Sequence, residues 1–156
     1  MIGKTIIKTT GTLLPCPKDP VNQMLLPKII YSVPCQQCQY QYIGMSKNNL
    51  KTRLSGHRTL LNTYKKLHEL GYTKADTKIS DLAEKTAMMS HVIETNHDFD
   101  LTKSTVIDRS RRVSALPMLE MCHIYTNPNT VNFRTDVRGL CNTYAGILSS
   151  INTDRK

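Results

Sequence analysis

Two strand-like runs near residue 35 are separated by a short connector that carries a pair of cysteines. Residues 28–33 are rich in β-branched and aromatic side chains, and residues 39–43 alternate Gln and Tyr before Gly44. Both compositions are typical of β-strands. The connector, Pro34-Cys35-Gln36-Gln37-Cys38, is short enough to close the two runs as an antiparallel hairpin. This hairpin is the strongest constraint on the fold, because the remaining elements must pack around it.

Helical periodicity dominates the sequence after the hairpin. Ser46 is a favourable N-cap, and up to Gly71 the apolar residues recur at helical spacing, namely Leu50, Leu54, Leu61 and Leu67. A second helix is predicted over residues 80–96, with the apolar stripe Leu82, Thr86, Met89 and Ile93. Residues 104–108 have strand composition. Residues 114–125 are helical in pattern, with Pro117 either in the first turn or at a kink.

A last helical stripe lies near the C-terminus, through Val137, Leu140, Cys141, Tyr144, Ile147 and Leu148. Residues 1–27 contain four prolines and are predicted to be an irregular leader or linker. We therefore predict the α+β class, with a small three-stranded mixed or antiparallel sheet flanked by helices. The predicted order is β-β-α-α-β-α over residues 28–134, followed by a C-terminal helix and tail over residues 135–156.

Positive charge is concentrated in the first half of the chain. The formal net charge is +9, from 21 Lys and Arg against 12 Asp and Glu. No acidic residue occurs between Asp19 and Glu69, and the cations in that stretch are Lys28, Lys47, Lys51, Arg53, Arg58, Lys65 and Lys66. The rest is nearly balanced apart from Arg109-Ser110-Arg111-Arg112. Such a stretch is either a solvated helix face or a surface that neutralises nucleic-acid phosphates.

The sequence shows no membrane or secretion signal. No apolar run approaches the ~18 residues of a spanning helix. The first ten residues carry lysines where a signal peptide has its apolar core. We therefore expect an intracellular, reducing environment, in which the five cysteines are thiols or metal ligands rather than disulfides.

Six polar residues occur in an order that suits phosphodiester hydrolysis: Tyr31, Tyr42, Arg53, His57, Glu120 and Asn132. Hydrolysis requires a deprotonated water, charge neutralisation at the transition state and stabilisation of the departing 3′ oxygen. Glu120 is the only carboxylate between Asp108 and Asp136, which suits a site where one Glu and waters hold Mg²⁺ or Mn²⁺. Arg53 offers a planar donor fork that matches phosphate, with His57 four residues later on the same helix face.

Each of these residues also has an ordinary interpretation when taken alone. Tyr31 and Tyr42 suit cross-strand packing. The Arg53 and His57 pair suits a solvated helix face. Glu120 suits a salt bridge. The ordered combination is what favours a catalytic site.

Four short segments extend this combination: Ile29-Ile30-Tyr31, Tyr42-Ile43-Gly44-Met45-Ser46, Leu50-Lys51-Thr52-Arg53-Leu54 and His91-Val92-Ile93-Glu94-Thr95-Asn96-His97. On these segments, residues 28–134 resemble the GIY-YIG nuclease family, and within it the endonuclease domain of Penelope-like retroelements. The resemblance implies the GIY-YIG fold and a metal-dependent DNA endonuclease. Such an enzyme nicks target DNA and exposes a 3′ hydroxyl from which a linked reverse transcriptase primes. The implied partners are DNA and a reverse transcriptase domain of the same element, and the implied location is the nucleus.

The resemblance also implies roles for single residues. Tyr31 takes or relays the proton of the attacking water, together with His57, while Tyr42 orients the phosphate or the water. Glu120 holds the catalytic Mg²⁺ or Mn²⁺, and Asn132 braces the site. DNA phosphates are expected to lie on the basic stretch, at Lys47, Lys51, Arg58, Lys65 and Lys66.

Two departures from the family pattern stand near these residues. The first motif reads Ile29-Ile30-Tyr31 without the family's Gly. Pro117 precedes Glu120 by three residues, where it would shift the approach of the metal ligand.

Cys35 and Cys38 have the spacing of a zinc knuckle. The Penelope-type domains are similar in carrying a Cys-Cys-His-His set, and His91 and His97 match its second pair. The resemblance thus implies a structural Zn²⁺ site made of these four residues.

Three alternatives to that zinc site stay open. The cysteines of the connector suit a redox pair, His91 suits an ordinary helix surface, and Cys122 with His123 would serve in place of His97. The cysteines left over, which we expect to be free thiols, are Cys16, Cys122 and Cys141.

Two other functions also fit the sequence. One is a zinc-stabilised DNA-binding module whose catalysis has decayed. The other is a GIY-YIG nuclease of DNA repair, although the Cys-x-x-Cys insertion between the two tyrosines argues against it.

Overall fold

The computed structural model describes residues 22–138, which form a three-stranded sheet flanked by four helices. The strands are β1 (Ile29–Pro34), β2 (Gln41–Ser46) and β3 (Thr105–Arg109). The helices are α1 (Leu50–Glu69), α2 (Thr77–Lys85), α3 (Ala87–Thr95) and α4 (Leu116–Thr126). Short 3-10 turns cover Gln23–Leu25, Leu101–Lys103, Val113–Ala115 and Arg134–Val137. The predicted α+β class is confirmed, and the sheet is antiparallel throughout.

Strand β1 lies at the centre of the sheet, in the order β2-β1-β3. Tyr31 is opposite Gly44 on β2 and Val106 on β3. The predicted hairpin of β1 and β2 is present. Its connector closes with a hydrogen bond of 2.9 Å from the Cys35 N–H to the carbonyl of Tyr40.

Alternate side chains of β1 pack into two separate cores, because successive strand residues point to opposite faces. Ile29, Tyr31 and Val33 belong to the larger core, which also contains the buried residues of α1, α2 and α3. Ile30 belongs to the smaller core, with Ile43, Leu116 and Ile124. Tyr31 therefore faces α1, whereas α4 packs on the opposite face of the sheet.

Helix α1 begins after Asn49, whose Oδ1 accepts a hydrogen bond of 2.9 Å from the Thr52 N–H. Ser46, the predicted N-cap, is instead the last residue of β2. The buried stripe of α1 comprises Leu50, Leu54, His57, Leu61 and Tyr64. The helix ends before Gly71, which has φ +85°, a left-handed conformation that favours glycine.

The single helix predicted over residues 80–96 is wrong, because Thr86 divides it into α2 and α3. Thr86 has extended backbone (φ −156°, ψ 146°), and its Oγ1 accepts a hydrogen bond of 3.1 Å from the Met89 N–H. Threonine is favoured at this N-cap position because its hydroxyl satisfies a free helix N–H. The break turns α3 so that Met88 and Met89 are both fully buried. The observed order is therefore β-β-α-α-α-β-α.

Pro117 lies in the first turn of α4, where its missing N–H costs no helical hydrogen bond. Val137, the first residue of the predicted C-terminal stripe, packs against the smaller core. The rest of that stripe lies outside the described residues, as do Cys16 and Cys141. Within residues 22–138, no helix has both the length and the hydropathy needed to cross a bilayer.

Candidate active site and metal centre

Gly44 is the point at which the candidate catalytic residues approach one another. A Cβ atom on Gly44 would stand 2.7 Å from the Tyr31 hydroxyl and 2.8 Å from Cε1 of Tyr42. Real Cβ atoms essentially never come this close to other heavy atoms. A glycine is therefore required here so that the two tyrosine rings can lie beside the β2 backbone.

The Tyr31 hydroxyl sits between Arg53 and His57, both of which come from α1. The Arg53 Nε–H donates to the Tyr31 oxygen at 3.0 Å, and the Tyr31 oxygen is 2.7 Å from His57 Nε2. Tyr42 completes the cluster, with its ring 5.4 Å from the His57 ring and 6.3 Å from the Tyr31 ring, centroid to centroid. Tyr31 and His57 are 0% and 2% exposed, so this network is part of the larger core.

The environment keeps the Tyr31–His57 pair uncharged. Burial, with help from the positive charge of Arg53, lowers the pKa of His57 to about 4. Burial raises the pKa of Tyr31 and also that of Tyr42. A neutral imidazole protonated on Nδ1 accepts a hydrogen bond at Nε2, and the Arg53 guanidinium can only donate. The Tyr31 O–H therefore donates to His57 while its oxygen accepts from Arg53.

Glu120 approaches the cluster from the opposite side of the sheet, at the outer edge of β2. It lies one turn after Pro117 on α4, and its Oε1 accepts a hydrogen bond of 2.9 Å from the Met45 N–H. Burial raises the pKa of Glu120; the nearby Asp136 adds to this rise, whereas the Met45 N–H and Arg53 oppose it. A cation beside this carboxylate would offset its desolvation.

Asn132 holds the same edge strand one step further along. Its Oδ1 accepts from the Ile43 N–H at 2.9 Å, and its Nδ2 donates to the Ile43 carbonyl at 2.8 Å. Before it, Gln41 bonds to the backbone of Asn129 and Val131 at 3.0 Å each. The outer edge of β2 is thus covered by the segment that follows α4. This segment carries Asn132 and also Asp136, the carboxylate close to Glu120.

The ordinary interpretations of these residues fit the structure only in part. Tyr31 is opposite Gly44, and Tyr42 is opposite Val33, so the two tyrosines are diagonal neighbours on paired strands and do pack across them, with ring centroids 6.3 Å apart. His57 is buried rather than on a solvated face. Glu120 contacts a backbone N–H, and none of the salt bridges within residues 22–138 involves it.

Sequence reasoning missed three contributors to this site. They are the space left by Gly44, the Met45 N–H that holds Glu120, and the carboxylate of Asp136 close to Glu120. The space at Gly44 could have been inferred from the strand register, which places Tyr31 opposite Gly44. Nothing in the sequence pattern indicates the contact between Met45 and Glu120, which are 75 residues apart.

The cations predicted to bind DNA are exposed, but most of them lie away from this cluster. Lys51, Arg58 and Lys65 are seven residues apart and form one row along α1. At 100° per residue, Arg58 projects about 140° around the helix axis from Arg53. Lys65 also forms a salt bridge of 2.7 Å with Asp98. The structure therefore does not bring this row together with Arg53.

A second cluster, of four metal-ligating side chains, lies at the hairpin connector: Cys35, Cys38, His91 and His97. One ligand atom from each lies within 4.8 Å of the other three. Cys35 Sγ is 3.7 Å from His97 Nδ1, and Cys38 Sγ is 3.6 Å from His91 Nε2. Ligands bound tetrahedrally to zinc at about 2.0–2.3 Å stand about 3.3–3.8 Å apart. This Cys2His2 cluster could bind a metal ion such as zinc.

Two local features bring the histidines to the cysteines. Asn96 ends α3 in a left-handed conformation (φ 62°), so the chain turns back immediately after the helix and carries His97 towards the connector. Backbone pairing then joins Cys35 to Phe99, and the Gln36 N–H donates to the Asp98 carbonyl at 2.9 Å. The cluster therefore connects the β1–β2 hairpin to the end of α3.

The alternative with Cys122 and His123 as ligands is wrong. His123 Nε2 lies 2.9 Å from the Asp108 carboxylate, and Cys122 is a free, half-buried cysteine on α4.

His91 does not lie on an open surface either, because its ring packs 5.5 Å from Phe99 and 5.3 Å from His97. Burial, then the neighbouring His97, lowers the pKa of His91, which favours the neutral imidazole that binds metals.

Searches with this chain found no matching family model, no similar curated protein and no similar solved structure.

Proposed function

We propose that this chain is a metal-dependent DNA endonuclease that hydrolyses phosphodiester bonds. The observation that carries the proposal is the meeting of a guanidinium and a neutral imidazole at the Tyr31 hydroxyl, with Tyr42 packed beside them and Glu120 at the adjacent strand edge. Phosphodiester hydrolysis needs these groups, namely a cation for the phosphate, a route for a proton and a carboxylate for a metal.

Tyr31 is suited to take the proton of the attacking water because it can pass its own proton to His57 Nε2. A DNA phosphate beside Arg53 would offset the charge that lowers the pKa of His57, so His57 accepts a proton more readily once substrate is bound. Water attacks phosphorus as its proton passes to Tyr31, the bond to the 3′ oxygen breaks, and the departing oxygen takes a proton from solvent, which gives a 3′ hydroxyl and a 5′ phosphate.

Glu120 would hold the catalytic Mg²⁺ or Mn²⁺ through the oxygen that does not bond to Met45. Such a cation stabilises charge on the phosphate and on the departing oxygen. Arg53 orients the phosphate through its planar donor fork. Tyr42 positions the phosphate or the water, and Asn132 keeps the β2 backbone in place through both of its bonds to Ile43.

The resemblance to the endonuclease domain of Penelope-like retroelements supplies the biological setting of the proposal. In that setting the chain nicks target DNA in the nucleus, and a reverse transcriptase of the same element extends the exposed 3′ hydroxyl. The spacing of the segments around Tyr31, Tyr42 and Arg53 supports this setting.

We further infer that the Cys2His2 cluster holds a structural Zn²⁺ ion. Two thiolates and two imidazoles make a closed tetrahedral set with no position left for substrate. Burial, followed by the neighbouring Cys35, raises the pKa of the Cys38 thiol, a penalty that a bound cation removes. The ion would then pin the hairpin that carries Tyr31 and Tyr42 to the end of α3.

The test of the nuclease is conversion of supercoiled plasmid to open circles with Mg²⁺ or Mn²⁺, for the wild type and for Glu120→Gln. The Gln side chain can still accept from the Met45 N–H but removes the negative charge. We expect the wild type to nick and Glu120→Gln to lose at least about 10²-fold in rate, with unchanged unfolding. Equal nicking by the two proteins would overturn the proposal.

A second candidate is a zinc-stabilised DNA-binding module whose catalysis has decayed. The full burial of Tyr31 favours it, because the hydroxyl already has both of its partners and is screened from solvent. This candidate predicts salt-sensitive DNA binding without metal-dependent nicking by the wild type, so the plasmid experiment separates the two functions.

A further inference from the structure

Five cations collect at one end of the sheet, away from the basic row on α1: Lys28, Lys47, Arg109, Arg111 and Arg112. We call this set the sheet-end patch. None of the salt bridges formed within residues 22–138 involves any of its members. The neighbouring acid, Asp108, is hydrogen-bonded to His123 on the other face of the sheet. The patch therefore carries positive charge that the described protein does not neutralise.

Backbone hydrogen bonds hold the patch together. The Lys28 N–H donates to the Lys47 carbonyl at 3.2 Å, and the Ser110 N–H donates to the Lys28 carbonyl at 3.0 Å. These bonds continue the order of the sheet, so Lys47, Lys28 and Ser110 stand side by side. With strands about 4.8 Å apart, the row is about 10 Å wide, the axial length of about three base pairs of DNA.

Lys28 occupies a conformation that few lysines adopt. Its φ is 56°, in the left-handed region, which is unfavourable for a residue other than glycine. Its Nζ donates to the Arg111 carbonyl at 3.2 Å, which leaves two of its three N–H groups for another partner. A cavity of about 540 Å³ opens here, lined by Pro27, Lys28, Arg109, Ser110 and Arg111.

Part of the patch lies on the same face of the sheet as Tyr31. Arg109 is opposite Ile29, and directly opposed residues project from the same face of a sheet. Ile29 precedes Tyr31 by two residues on β1, so Arg109 and Tyr31 share a face. Their backbone positions are roughly 8 Å apart, from one strand spacing and two residues of rise. Arg109 is therefore placed beside the strand whose Tyr31 hydroxyl accepts a hydrogen bond from Arg53.

We propose that the sheet-end patch binds the phosphate backbone of duplex DNA beside the scissile phosphate. The position of the cut rests on the proposed function, whereas the binding rests on the patch alone. A repeating polyanion is favoured over a small anion because the five cations come from three adjacent segments across the end of the sheet rather than from one point. The row of Lys51, Arg58 and Lys65 is the competing surface, and it points away from Arg53.

The test measures fluorescence anisotropy of a labelled duplex over a range of salt concentrations, with Glu120→Gln as the parent so that the DNA stays uncut. Two double variants remove equal charge: Arg109→Gln with Arg111→Gln, and Lys51→Gln with Arg58→Gln. Loss of two phosphate contacts should lower the salt slope by about 2 and weaken binding about 100-fold near 0.1 M salt. We expect this loss for the patch variant and a much smaller one for the α1 variant.

Parent-like binding by the patch variant, or equal losses in both variants, would overturn the inference. Thermal unfolding confirms that both variants are folded. Plasmid nicking is then measured for the same two double variants with Glu120 left unchanged. This measurement separates the two proposals. If the patch variant nicks and binds DNA normally, only this inference is removed. If the wild type never nicks but its binding depends on the patch, only the nuclease proposal is removed.

Discussion

The two clusters of reactive side chains in this protein are held in place in different ways. The residues around Gly44 are part of the core, and their hydroxyl, imidazole and guanidinium groups satisfy one another. The ligand atoms of the Cys2His2 cluster approach one another at 3.6 and 3.7 Å from sulfur to nitrogen, where the hairpin connector meets α3 and the residues just after it. The first cluster is therefore complete without a ligand, whereas the second has an arrangement that could bind a metal ion such as zinc.

This difference predicts which measurements respond to each cluster. A change at the catalytic cluster that keeps its packing should reduce the reaction rate while the fold persists. A change at the metal cluster should reduce stability, and nicking should fall only because less protein is folded. Four sets of substitutions test whether the two clusters differ in this way.

The largest effect is expected for Tyr31→Phe, which keeps the ring and removes the hydroxyl between Arg53 and His57. Loss of a positioned acid or base typically lowers a rate by about 10²–10⁴-fold. The unfolding free energy should fall by only about 1–2 kcal/mol, the value of the lost hydrogen bonds. The plasmid assay and chemical denaturation measure the two quantities. The control is Tyr64→Phe, the same change in the same core but on α1; similar rates for the two variants would contradict a catalytic Tyr31.

Removal of the metal cluster comes next. The double variant Cys35→Ser with Cys38→Ser should lose its stoichiometric zinc, measured by metal analysis after gel filtration. A ligand held at 1,000 times its Kd stabilises the folded state by about 4 kcal/mol, so we expect a loss of that order. Cys122→Ser is the matched control, because Cys122 lies outside the cluster and should leave zinc binding intact. Zinc retained by the double variant would remove the assignment.

His57 predicts a pH dependence of stability. Its pKa is lowered from 6.5 to about 4 in the folded protein, so the unfolded chain binds the proton more readily. Its contribution is complete above about pH 6.5 and is lost as the pH falls towards 4, to a total on the order of 3 kcal/mol. The measurement compares the unfolding free energy of the wild type and His57→Gln between pH 7 and 4.5. The difference should shrink on acidification, whereas His68→Gln, an exposed position on α1, should follow the wild type throughout.

The smallest effect is expected at Gly44. Gly44→Ala places a Cβ 2.7 Å from the Tyr31 hydroxyl and should destabilise the protein by about 1–3 kcal/mol through overpacking. Gly56→Ala on α1 is the control, since nothing lies within 4 Å of its Cβ position, and it should stabilise the helix by up to about 1 kcal/mol. Denaturation of both variants checks the signs. An unchanged unfolding free energy for Gly44→Ala would show that the tyrosines can move away at no cost.

Local signals predicted the hairpin, α1 and the strand β3 within a few residues, because alternation, helical spacing and Gly71 each act over short segments. The break at Thr86 was missed because threonine fitted the apolar stripe. In the structure its hydroxyl instead accepts a hydrogen bond from the Met89 N–H as an N-cap. Long-range contacts were beyond reach. The bond between Glu120 and Met45 depends on how α4 packs on the sheet, which no local pattern encodes.

The covered edge of β2 has a consequence for self-association. Open sheet edges recruit strands from other chains, and they are a common route to aggregation. Here Gln41 and Ile43 already use their outward backbone groups, and the Met45 N–H is taken by Glu120. Loss of Glu120 by truncation to Ala would therefore free the Met45 N–H at this edge as well as remove a carboxylate. An inactive Glu120→Ala protein should aggregate more readily than an equally inactive Glu120→Gln protein.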